Sequence, residues 1–149
     1  MTPEKVFSLC NMLAPVGWLI LIFAGKNAKA RLVAGVVIPL LLAAIYLVLI
    51  TAHFGESTGS FSTLAGVAAL FSDRWLLLAG WVHYLAFDLF TGAWQVRDAQ
   101  LNAIPHLLVI PCLVLTFLFG PVGLLLYFGI RTARRRAAPH VTLPQRGGL

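Results

Sequence analysis

Acidic side chains are almost missing from this 149-residue chain. It has five Asp/Glu against eleven Lys/Arg, and charged residues of both signs make up only 11%. Roughly a quarter of an ordinary soluble domain is charged, so a surface this poor in charge excludes a water-soluble enzyme of this size. Intrinsic disorder is excluded on the opposite ground, because it requires low hydrophobicity, whereas 60% of the residues are hydrophobic and mean hydropathy is +0.90. Cysteine is scarce as well. Cys10 and Cys112 both fall inside apolar runs and read as reduced, buried thiols. There is no C-x-x-C, G-x-G-x-x-G, P-loop, H-x-x-x-H or H-E-x-x-H pattern, and the four histidines stand singly. The sequence therefore gives no reason to expect a nucleotide cradle, a metal or another cofactor.

What the chain has is long apolar runs. A bilayer core needs about 20 apolar residues as helix. Four stretches qualify: 6–24, 32–54, 75–96 and 104–130. Ala28-Lys29-Ala30 imitates a signal-peptidase site, but the first run is long for a signal peptide and Glu4 stands in its flank, so it is expected to be a retained helix. Residues 61–72 are apolar but short. Phe61, Leu64, Ala68 and Phe71 share a helical face opposite Ser62, Gly66 and Asp73, which predicts an interfacial or re-entrant helix. The expectation is an all-α integral membrane protein with four transmembrane helices in one domain, 1–131. A short interfacial or re-entrant helix lies between the second and third spans. Residues 132–149 are expected to form a flexible, basic cytoplasmic tail.

The positive charges fit four crossings poorly. Four spans place Lys5, Arg74, Arg131, Arg134, Arg135, Arg136 and Arg146 on one side, and Lys26, Lys29, Arg31 and Arg97 on the other. A fifth crossing through 61–71 would sharpen the split to nine against two, as the positive-inside rule prefers. Either version puts the basic tail next to anionic cytoplasmic lipid rather than nucleic acid. Prolines interrupt three runs, at Pro15, Pro39, and Pro111 with Pro121. Each frees a carbonyl four residues earlier, at Asn11, Gly35, Leu107 and Phe117. Gly120-Pro121-Val122-Gly123 reads as a kink or hinge where another helix approaches closely.

Trp75 and Trp94 set a depth scale, being about 28 Å apart along a helix and preferring the two interfaces. On this scale His83 and Tyr84 lie near mid-membrane and Asp88 about 9 Å inside the Trp94 level. Asp88 is the one acid inside a span, so it must face the bundle interior, find a partner or keep its proton. Tyr84, Thr91 and Gln95 share its face, and Trp81 continues the stripe. Such a stripe either handles a proton and a polar end group or holds helices together. His83 is about 140° round the helix from Asp88, so the two do not pair within it. His53 and His106 fall at span ends, and Arg97 with Asp98 reads as a surface pair.

The blocks Trp81-Val82-His83-Tyr84-Leu85-Ala86-Phe87-Asp88 and Phe119-Gly120-Pro121-Val122-Gly123, with Ile104-Pro105-His106 between them, resemble the small membrane proteins related to plant neoxanthin synthase, first connected with abscisic-acid deficiency. Leu70-Phe71-Ser72-Asp73 fits the bacterial branch. The resemblance implies a bacterial inner-membrane protein that acts on a carotenoid or another isoprenoid without a redox cofactor. Its plant relatives are implicated in converting violaxanthin to neoxanthin. Opening an epoxide to an allene requires an acid at the oxygen and a base near the polyene. Fitted to that chemistry, Asp88 and Tyr84 are the expected catalytic residues, with His83 as a further candidate. Trp81, Thr91, Gln95 and Asn11 are the expected substrate-binding residues. The partners implied are a membrane lipid or carotenoid-like lipophile, and a second copy or a partner membrane enzyme. A non-catalytic scaffold or lipid-binding subunit is the alternative.

Overall fold

The structure is a computed structural model that describes residues 2–137. Helix α1, Pro3–Ala24, opens with Pro3 in its first turn, where a missing N–H costs nothing. Asn27 caps α2, Ala28–Leu32, by accepting from the backbone N–H groups of Lys29 and Ala30. A π-helical stretch, Val33–Val37, carries α2 into α3, Ile38–His53. The wider turn falls just before Pro39, which cannot donate to the Gly35 carbonyl. A short loop leads to α4, Leu64–Ser72, capped by Thr63. Asp73 then caps α5, Arg74–Leu101. Helices α6, His106–Phe119, and α7, Pro121–Ala137, complete the described chain. Residues 132–137 of the expected tail continue α7, and the remainder, with Arg146, lies outside the described residues.

Three helical stretches are long and apolar enough to cross a membrane: Pro3–Ala24, Ala28–Glu56 and Arg74–Leu101. They correspond to the first three expected spans. Helix α5 is the centre of the bundle and packs against α1, α3 and α6. Small residues bring the helices close, with Gly17 against Leu89, Gly92 against Trp18, and Gly35 against Ala93. Cys10 and Cys112 are free and fully buried. Large apolar side chains such as Met12, Phe23, Leu40 and Leu125 point outward, as a lipid-facing surface requires.

The fourth expected span departs from expectation. Residues 104–130 are two helices separated at Gly120, where φ is +43°. Pro121 supplies no N–H, a residue before proline disfavours helical backbone, and glycine alone tolerates this φ cheaply. The chain reverses there. Gly123 packs so closely that a Cβ would collide with Thr116 and the Cys112 carbonyl. Farther along α7, Tyr127 and Arg131 reach Asp98, and Arg135 reaches Asn102. Those partners lie at the end of α5, beside the start of α6, so α6 and α7 form an antiparallel hairpin. At 14 residues, α6 is about 21 Å long, too short to cross.

Residues 61–72 contain α4 as a short helix, and most of its expected apolar stripe points away from the bundle. Leu64 is 86% exposed, while Leu70, outside that stripe, is buried. The loop folds back so that Ser60 bonds to the Gly66 carbonyl, which presents the Leu70 side to the bundle.

Candidate functional site

Asp88 lies where the hairpin turns. A Cβ built on Gly120 would be 3.0 Å from its Oδ1 and 3.2 Å from its Oδ2, so the glycine lets the turn lie directly on the carboxyl group. Oδ2 is buried and has no hydrogen-bond partner among the described residues. One turn earlier on α5, the Tyr84 hydroxyl donates to the Phe117 carbonyl at 3.3 Å. That carbonyl is one the sequence expects to be freed by Pro121.

The stripe continues toward the other end of the bundle. Trp81 stacks on Tyr84 with centroids 5.5 Å apart, and its Nε1 donates to Asn11 Oδ1 at 2.9 Å. A cavity of about 310 Å³ beside Trp81 is lined by Phe7, Leu77 and Leu78 and by the exposed Glu4–Arg74 ion pair. Asp88 itself lines neither this cavity nor two others, of about 270 and 340 Å³. In the opposite direction Gln95 is fully buried. Its Nε2 donates to Thr116 Oγ1 at 3.0 Å, and Thr116 Oγ1 lies 2.8 Å from the Cys112 carbonyl. Gln95 therefore clamps α5 to α6. Thr91 is half-buried between Asp88 and Gln95.

The structure thus brings Asp88, Tyr84, Trp81 and Asn11 along one face. It does not bring His83 to them. His83 faces α3 and α4, 5.5 Å from the Tyr46 ring and 4.6 Å from Phe87, and lines the cavity of about 270 Å³ with Phe54, Phe61 and Leu70. His53 stacks on Trp75 at 4.8 Å, and His106 meets the Ile22 carbonyl at 2.9 Å. No cluster of three or more His, Cys, Asp or Glu fit for a metal occurs among the described residues.

A second polar cluster had no counterpart in the sequence reading. Asp98 Oδ2 accepts from the Tyr127 hydroxyl at 2.5 Å and lies 2.8 Å from Arg131 Nε, while Oδ1 accepts from Arg131 Nη2 at 3.0 Å. Asp98 is therefore paired with Arg131, not with Arg97 as expected. The interaction links residues that a continuous fourth span would have put at opposite membrane surfaces. The Gly120-Pro121 segment, expected as a kink or hinge within one span, is where the chain instead reverses.

No curated protein and no solved structure matches the chain. The family described as ABA DEFICIENT 4-like matches residues 5–127, a stretch that includes nearly all of α1, the whole of α2 to α6, the Gly120 turn and Asp88. On that match the chain belongs to the ABA DEFICIENT 4-like family.

Proposed function

We propose that this chain is a neoxanthin-synthase-like isomerase that acts on a carotenoid or another isoprenoid lipid within the bilayer. The family membership supports the substrate class. The observation that carries the chemistry is Asp88, whose Oδ2 has no partner at the turn of a helical hairpin. Trp81, Tyr84 and Gln95 on the same stripe are each engaged, so Asp88 is the group left to meet a substrate. A carboxyl group there can give a proton to an epoxide oxygen as the C–O bond breaks. The Asp88 carboxylate left behind then takes a proton from the polyene, the C–H electrons form the allene double bond, and the proton count closes. No oxidant is consumed. To orient the reacting oxygen, Tyr84 would turn its hydroxyl from the Phe117 carbonyl to the substrate. The cavity at Trp81, one turn before Tyr84, receives apolar substrate from the lipid side. By the positive-inside rule, the bundle end carrying Arg97 and Arg131 faces the cytoplasm of a bacterial inner membrane.

Asp88→Asn tests this reading, because Asn keeps size and most hydrogen bonding but cannot exchange a proton at neutral pH. Introduced into a strain lacking the gene, it should restore folded protein but not the parental pigment or lipid profile. A folded variant that restores the profile would remove Asp88 from catalysis. It would also favour the second reading, a non-catalytic scaffold or lipid-binding subunit. One observation favours that alternative: Asn11, Trp81 and Gln95 all make hydrogen bonds between helices.

A further inference from the structure

The cavity of about 340 Å³ lies between the Ala28–Val37 stretch and α5, at the bundle end that carries most of the positive charge. Its two walls run antiparallel and share one gradient. Along α5 the lining passes from Phe90 to Trp94 to Arg97, over about 10 Å. Along the facing stretch it passes from Val36 to Leu32 to Arg31. Both walls therefore go from apolar to cationic toward the bundle end, with an interface-seeking tryptophan between. No acidic residue lines the cavity, and the nearby Asp98 is engaged with Tyr127 and Arg131.

The two guanidinium groups are prepared differently. Arg31 is held in place, its Nη1 donating to the Gly25 carbonyl at 2.9 Å and to Gln100 Oε1 at 2.8 Å. That leaves Nε and Nη2 for another acceptor. Arg97 is exposed and makes no ion pair or hydrogen bond among the described residues. We propose that this cavity binds an anionic phospholipid, with its phosphate between Arg31 and Arg97 and an acyl chain along Phe90, Leu32 and Val36. Guanidinium groups match phosphate oxygens geometrically, and basic pockets between membrane helices on the cytoplasmic side suit such headgroups. The proposal is independent of the chemistry at Asp88.

The test is the melting temperature of the full-length protein in a neutral detergent, titrated separately with phosphatidylglycerol, phosphatidylcholine and inorganic phosphate. Phosphatidylglycerol should raise it most. Arg97→Gln, at a side chain without a partner, should weaken the apparent phosphatidylglycerol affinity about fivefold. Val36→Trp should abolish the response by filling the cavity while keeping both charges. Arg134→Gln, an exposed charge outside the cavity, should leave the response intact. Equal stabilisation by phosphatidylcholine would overturn the proposal, as would inorganic phosphate matching phosphatidylglycerol. Arg134→Gln costing as much as Arg97→Gln would reduce the effect to bulk charge and equally overturn it.

Discussion

At the scale of single residues, Gly120 and Asp88 constrain one another. The turn can lie on the carboxyl group only because no side chain intervenes, and only because glycine accepts a φ of +43°. Gly120→Ala should therefore cost about 1–3 kcal/mol of stability through backbone strain and displace the turn from Asp88. Gly129 is the control. Nothing lies within 4 Å of a Cβ built there, and alanine favours a helix interior by up to ~1 kcal/mol. Gly129→Ala should melt at or above the parent in detergent, and Gly120→Ala below it. Equal melting of the two would refute the strained turn. Asp88 was legible in the sequence because a lone acid in an apolar run is conspicuous by its desolvation cost. The helix-to-helix contacts of Trp81 and Gln95 were not, since a polar side chain in a span looks the same in sequence whether it meets a ligand or another helix.

At the scale of elements, the α6–α7 hairpin is held at two levels. Gly123 lets α7 lie on α6 near the turn, and Asp98 ties Tyr127 and Arg131 to α5 near the open end. Gly123→Leu should lower folded yield sharply, because the collision is with backbone rather than with a movable side chain. Asp98→Ala leaves a half-buried guanidinium and a buried hydroxyl without their acceptor, a loss of about 1–3 kcal/mol. Hydrogen exchange should then rise in α7 while staying unchanged in α1. Uniform protection across both helices would mean that Asp98 does not fasten the hairpin. Hydropathy reported the apolar content of 104–130 correctly but carries no information on continuity. The freed Phe117 carbonyl, inferred from Pro121 alone, was found accepting from Tyr84. A kink and a reversal both free that group, so its acceptance did not distinguish them.

For the molecule as a whole, the hairpin removes the conflict between length and charge. If the three long apolar stretches are the crossings, Lys26, Lys29, Arg31, Arg97, Arg131, Arg134, Arg135 and Arg136 share one end of the bundle. Lys5 and Arg74 share the other, where Arg74 pairs with Glu4. The split approaches the nine against two that a fifth crossing would have produced, yet no helix is added. The α6–α7 hairpin has both its ends at that basic end of the bundle. Four crossings would place the amino terminus and the tail on one side, whereas three place them on opposite sides. A reporter active only in the cytoplasm should work after Ala137 and fail before Val6. It should also fail within 55–60 and work within 102–105. Activity at both ends of the chain would restore four crossings and show that the 104–130 run passes through. The hairpin also predicts that a cysteine at Leu118, near the turn, is protected from a membrane-impermeant thiol reagent applied to either side, because the turn stops within the bilayer. Labelling from the side opposite Arg131 would mean that the turn reaches the far surface, and the run would then count as a crossing.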